Sequence, residues 1–232
     1  MKKILLLGIA TAFVFSFAGI SNASVDSVYE AAVTDIKGDV KVDTKGDGIW
    51  ISPWIGMKLK KEARVKTGSG SSVEIVFDAE GLNVLNIKEN SQITVKEASI
   101  NLLGGSILAD FANIEPGSSF SVKTPTAVCG VRGSGMGVDF IQGMTVARAF
   151  EDRVYVQGLD LNGNPVGKEV IIPEGWKAQI ETGGKIEPPA ELTPNEIKIW
   201  DAWIAVIIGP PEEPEMVEEP AEPERPEGSE YR

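Results

Sequence analysis

The sequence contains no histidine and a single cysteine, Cys129. Those two scarcities together remove Ser-His-Asp and Cys-His nucleophile sites, His-ligated zinc, histidine general bases and thiolate metal clusters. No intrachain disulfide can form either, so the core has to hold by packing alone. Cys129, crowded by Ala127, Val128 and Val131, is expected to be a buried and inert thiol. Positive charge is also short: 22 Lys and Arg face 34 Asp and Glu, for a net charge of −12. Such a chain lacks the basic footprint that nucleic acid demands. Its overall balance argues against docking on anionic lipid through charge as well. No cofactor motif is present. The glycine pairs of Gly68-Ser69-Gly70 and Gly133-Ser134-Gly135 have neither the Lys-Ser/Thr step nor the helix start of a phosphate loop.

One long uncharged run occurs, at the start. Lys2 and Lys3 precede an apolar segment over residues 4–20, and Ser21-Asn22-Ala23 follows with small residues at both positions a signal peptidase reads. Residues 1–23 are expected to be a signal peptide cleaved between Ala23 and Ser24. Retention as an anchor is the alternative, since roughly 17–25 apolar residues cross a bilayer. Cleavage predicts a periplasmic or secreted protein with no transmembrane span left.

Residues 24–182 read as one β domain. Apolar residues alternate with polar ones at Val40 and Val42, at Ala63, Val65 and Thr67, and at Val73, Ile75 and Phe77. The pattern continues through Ile93 and Val95 to Trp176 and Ile180, and turns such as Lys45-Gly46-Asp47-Gly48 and Asn162-Gly163-Asn164-Pro165 punctuate it. Short strands at about 8–12-residue spacing, uninterrupted by a helix-period segment, predict an all-β fold. The expected architecture is an antiparallel two-sheet sandwich, jelly-roll-like, with an irregular β-roll as the competitor. Segments beginning at Asp43 and Asp160 faintly resemble calcium loops, but Trp54 and Ile171 stand where the twelfth-position acid is needed. Plain turns are expected there.

The most informative stretch spans residues 122–140. Pro125 biases Thr124 toward an extended backbone, and after Gly130, Gly133 and Gly135 the residues Met136, Val138 and Phe140 alternate with Gly137 and Asp139. The reading is strand, Pro step, strand, glycine bend, strand. Thr124-Pro125-Thr126-Ala127-Val128-Cys129-Gly130-Val131-Arg132-Gly133-Ser134 resembles the T-P-x-A-x-x-G-V-R-G-T hallmark of the FecR-type domain family, with Ser134 at the position of the usual Thr. Other family features follow in order: Gly38-Asp39-Val40, Trp50, Gly56, Val65-Lys66-Thr67-Gly68-Ser69-Gly70-Ser71, Glu89-Asn90-Ser91-Gln92-Ile93 and Leu103-Gly104-Gly105-Ser106. The resemblance covers about residues 35–181 and implies a β-sandwich. It also implies, weakly, a part in envelope signalling. The family's founding member is an inner-membrane regulator of a sigma factor with a cytoplasmic segment ahead of its membrane helix. Only Met1-Lys2-Lys3 precedes the apolar run here, so that arm is expected to be missing.

Within the stretch, Gly130, Arg132, Gly133 and Gly135 carry two readings. In the preferred one they form a structural hinge, Arg132 tying the bend to Asp139, Asp110 or backbone carbonyls. In the other, Arg132 and the N–H groups bared by the glycines bind an anion.

Beyond the β domain, residues 183–193 read as a linker, and Thr193-Pro194-Asn195-Glu196 as a capping box opening a helix over residues 194–208. Ile197, Trp200, Trp203, Ile204, Ile207 and Ile208 share a face at helical spacing. That face either covers an open end or edge of its own domain or docks a partner, including a second copy of the chain. The last segment, residues 209–232, holds nine Glu, six Pro and two Arg and is expected to be a disordered acidic tail. Taken together the residues predict an exported, non-catalytic binding or scaffold module of the cell envelope that recognises a protein or glycan. The alternative is a carboxylate-dependent glycan hydrolase drawing on a pair among Asp78, Asp110, Asp139, Glu151 and Asp152.

Overall fold

The computed structural model describes residues 31–78, 80–111, 114 and 119–208. The segment read as a signal peptide, with its expected Ala23–Ser24 junction, and the stretch read as an acidic tail lie outside the described residues. Among the described residues, sixteen strands and one helix form a β fold with the helix following the last strand.

The strands lie in two sheets. Sheet I runs in the order β3 (Lys58–Leu59), β1 (Ala31–Lys37), β5 (Ser72–Val76), β6 (Asn83–Ile87), β8 (Ser99–Phe111), β11 (Gly135–Ile141), β12 (Met144–Ala149), β15 (Trp176–Ile180) and β16 (Ala190–Glu191). Sheet II runs β2 (Val40–Asp43), β4 (Arg64–Thr67), β7 (Gln92–Val95), β8 again, β9 (Phe120–Lys123), β10 (Ala127–Val131), β13 (Arg153–Leu159) and β14 (Pro165–Pro173). Among the described residues, the one departure from antiparallel pairing is β8 with β9, which run parallel.

Strand β8 belongs to both sheets. Its first half pairs β7 and β9, and from Gly105 onward it pairs β11 and β6. The switch falls at Gly104-Gly105, where Gly105 has φ +90°, a conformation that costs glycine little. A side chain on Gly105 would also collide with Ser91, whose hydroxyl accepts from Ser106 N–H (2.9 Å) and donates to Ser106 C=O (3.1 Å). Inward-facing residues of both sheets form one apolar core that includes Val33, Ile75 and Leu85 from sheet I and Val65, Ile93, Val122 and Cys129 from sheet II. Burial pushes the Cys129 thiol up to about 12, so it stays protonated.

The stretch read as a linker is not one. Gly184 packs so tightly on Gly158, Leu159 and Val166 that neither Gly158 nor Gly184 has room for a Cβ. Ile186 then bridges Ile180, and β16 adds an edge to β15. Helix α1 (Pro194–Ile208) starts where its capping box predicts: Glu196 Oε2 accepts from Thr193 N–H (2.8 Å), and Thr193 Oγ1 accepts from Glu196 N–H (3.3 Å).

Candidate functional site: the helix-covered face and its groove

The motif of residues 124–134 spans the gap between the sheets. β9 and β10 lie in sheet II and β11 in sheet I, so Arg132-Gly133-Ser134 is a crossover. Gly133 turns there at φ +86°. Ser134 Oγ donates to the Glu151 carbonyl, and Gly135 C=O accepts from the N–H groups of Phe150 (2.9 Å) and Glu151 (3.2 Å). At the other end, Thr124 and Thr126 are buried and each shares a 2.6 Å hydroxyl contact with Thr145 of β12. Thr124 Oγ1 also accepts from Ala127 N–H (3.0 Å), closing the turn. The Thr-Pro-Thr step therefore pins sheet II to sheet I through a buried hydroxyl trio. Thr145 was missed from sequence, because an isolated Thr in a strand carries no local signal.

Arg132 does not organise this crossover. Its side chain is exposed and lies over the Tyr155 ring at 5.0 Å, and one of the carboxylates expected for it, Asp139, is taken by Arg148 at 2.8 Å. Arg148 is the organising arginine, and its place in a strand gave no hint of that. Gly130 lies on β10 against Tyr155 of β13 in register. Gly135 has ordinary backbone geometry and is needed for space: a Cβ there would strike the indole of Trp200.

That clash shows how α1 docks. Sheet I carries a row of residues in register across six strands: Glu74, Asn86, Leu108, Gly137, Arg148 and Lys177. The helix lies over this row. At one end, Glu196 Oε1 accepts from Arg148 Nε (2.7 Å), and Glu196 Oε2 accepts from Lys177 Nζ (2.8 Å). Burial works to raise the Glu196 carboxyl, but its bonds from Lys177, Arg148 and Thr193 outweigh that and bring it down to about 2. Burial likewise opposes the charge of Arg148, yet Asp139 and Glu196 hold its guanidinium more firmly protonated than usual. At the other end, Trp203 Nε1 donates to Glu74 Oε1 (2.6 Å), which also accepts from Asn86 Nδ2 (2.8 Å). Between the ends, Trp200 stacks on Phe150 with ring centres 4.6 Å apart and the planes within 5°. Gly135 and Gly137 form the recess beneath these rings, and Val84 and Leu108 complete the apolar bed.

Of the two readings of the helix face, packing on its own domain holds for most of its residues. Trp200 and Trp203 are buried, Ile204 and Ile207 are half-buried, and Ile197 is exposed. The helix covers the outer face of sheet I, not an edge or end, and the apolar contacts proposed for partner capture or self-association are made within the chain.

Beside the N-terminal half of α1 runs a groove of about 840 Å³. Its floor is Ser106 and Leu108 of β8, Asp139 to Ile141 of β11 and Arg148 of β12. Glu196 and Ile199 form one wall, while the turns carrying Ser71, Lys88 and Glu89 form the other. Ile141 and Ile199 expose about half of their surface here, 51% and 48%. Burial pushes the Lys88 ammonium below its ordinary value, partly offset by Glu74.

The acids considered for hydrolysis do not gather. Of the five, Asp139 alone lines the groove, and Arg148 holds it. Asp78 accepts from the N–H groups of Leu82 and Asn83 in a turn, Asp152 pairs with Arg153, and Asp110 and Glu151 lie outside the groove lining. The two calcium-like segments are likewise closed on themselves. Asp43 accepts from the N–H groups of residues 45–48 and from Arg64, and burial notwithstanding, these bonds hold its carboxyl far below the usual range. Asp160 accepts from Asn162 and Asn164 N–H.

Comparison with known proteins places this geometry. Residues 63–155 match the family described as FecR protein, a narrower span than residues 35–181 read from motifs. No curated protein matches the chain. Two crystal structures of a candidate anti-sigma factor from Parabacteroides distasonis ATCC 8503 are similar, with TM-scores of 0.46 and 0.47 at 14% identity. The likeness covers 59% of this chain and 63% of that one, so the chain spans less than two thirds of those structures' length. The segment from β4 to the first three residues of β13, including the two-sheet strand β8 and the Thr-Pro-Thr crossover, is the part of the chain that matches FecR protein, and the C-terminal helix lies outside that match.

Proposed function

We propose that the protein is a non-catalytic module of the cell envelope, exported by the cleaved segment ending at Ala23, in which the FecR domain holds a protein partner in a signalling assembly. The observation that supports this reading is the groove beside α1, where Ile141 and Ile199 stand half-exposed among Lys88, Glu89 and Ser106. Apolar anchors ringed by polar groups suit a partner's extended segment better than a reacting small molecule. The ionised side chains nearby serve the fold: Asp139, Arg148, Lys177 and Glu196 bind one another.

Replacing Ile141 and Ile199 by Asp tests the reading. Both are exposed, so the fold is expected to survive. Envelope extract passed over the parent should leave a discrete partner, and the double variant should lose it. Equal retention by both proteins would put the contact elsewhere. Turnover of cell-wall or capsular polysaccharide by purified protein would overturn the non-catalytic reading itself.

A further inference from the structure

The segment between β2 and β3 is a strap across one flank of the molecule. Ile51 pairs with Val42 at the edge of sheet II, exchanging two 2.8 Å backbone bonds. A few residues on, Gly56 N–H reaches Val33 C=O (2.7 Å) and Met57 C=O receives Val33 N–H (3.0 Å) at sheet I. Residues 51–57 therefore cross from one sheet to the other, anchored at both ends. What the strap displays is unusual for a chain this acidic. Ile49, Trp54 and Ile55 are 66%, 59% and 68% exposed. Trp50 is fixed beneath two cations, Lys66 Nζ at 4.2 Å and Arg64 Cζ at 5.3 Å from its ring centre.

The charge around the strap inverts that of the whole. Between residues 41 and 66 there are seven Lys and Arg against three Asp and Glu, in a chain of net charge −12. One of the three acids, Asp43, is buried and tied to Arg64. Lys45, Lys58, Lys60 and Lys61 are exposed, Lys61 in an ion pair with Glu97 (3.2 Å). The turn holding Lys60 and Lys61 lies against the turn holding Lys45, since a Cβ on Gly46 would come 3.2 Å from Glu62 C=O.

We infer that this strap is a membrane-docking surface that seats Trp54, Ile55 and Ile49 in the interface of a bilayer bearing anionic headgroups. Charge complementarity selects the lipid: lysines are flexible point charges whose stems bury while their heads stay at headgroup level, and indole favours that boundary. The apolar side chains project from a loop instead of lining a shaped recess, which a bilayer accepts without complementarity. Protein hot spots instead fill pockets. The scarcity of positive charge in the sequence as a whole concealed the local reversal.

A polarity-sensitive fluorophore at Ser52→Cys in the full chain reports the strap itself, whatever else touches the vesicle. Cys129 is fully buried and stays unlabelled. Lys168→Cys, on β14 at the opposite edge of sheet II, serves as the reference site. With phosphatidylglycerol-containing vesicles the strap probe should shift to the blue and the reference probe should not. The apparent vesicle affinity from the strap probe should fall at least about tenfold in Trp54→Ala/Ile55→Ala, which corresponds to about 1.4 kcal/mol of lost apolar burial. Lys58→Gln/Lys60→Gln should weaken binding to anionic vesicles severalfold. A strap probe that does not respond to anionic vesicles overturns the proposal, as does an equal response to purely zwitterionic ones. A shift that survives Trp54→Ala/Ile55→Ala also overturns it, because another surface would then be docking.

Discussion

The outer faces of the two sheets solve opposite problems. On sheet II the strands alternate cleanly: Arg64 and Lys66 of β4, Ser121 and Lys123 of β9, and Tyr155 and Gln157 of β13 point away from the core. Strands β4, β7, β9, β10 and β13 contain no acid at all. A face of this kind can meet water directly. On sheet I, Val84, Leu108 and Phe150 face outward, and β6 is buried on both sides. That face needs a cover, and α1 supplies it, guided by glycines below and by carboxylates at both ends. The lesson is that an apolar outward row in a strand announces a missing layer, and the layer can come from far along the chain.

The sharpest test is Trp200→Ala, which should remove roughly 3–5 kcal/mol from unfolding by urea, as large aromatic deletions from a packed site do. Gly135→Val should approach that loss by pushing the same indole off its bed. If either variant melts like the parent, α1 is not the cover described. A smaller loss, about 1–3 kcal/mol, is expected for Thr145→Val, which strips Thr124 and Thr126 of their shared buried partner. Acid provides a third test. Glu196 has its carboxyl at about 2 in the folded chain against an ordinary 4.5. Its contribution is therefore fully present above about pH 4.5 and disappears as the pH falls from there toward 2. Glu196→Gln should flatten that part of the stability profile and shift Trp fluorescence as the helix loosens. The smallest effect belongs to the open face: Arg132→Ala should change stability by no more than about 1 kcal/mol, the worth of an exposed cation resting on a ring.

What could be read from sequence divides along the same line. Strand periodicity, the crossover at residues 132–134 and the capping box at Thr193 and Glu196 are local, because each depends on residues within a few positions. The misreadings are all matters of register or distance. Arg132 sits in a conspicuous motif, but Asp139, one of the partners expected for it, pairs with Arg148 across β11 and β12. Gly183 and Gly184 look like a flexible joint in composition, yet Gly184 is locked against Gly158. Gly135 reads as a bend and turns out to be a vacancy for an indole. The groove was not legible at all, since its floor and walls come from seven separated segments.

The strand β8 that passes from one sheet into the other has a further consequence. A protein whose layers were stitched only by loops could lose one while keeping the other. Here the backbone bonds of a single thirteen-residue strand are shared between both layers, so neither can detach without unravelling the other's central member. Heat should find one cooperative unit, with far-ultraviolet dichroism and Trp emission moving at the same temperature, and the flank strap and the helix-covered face should be lost as parts of one event.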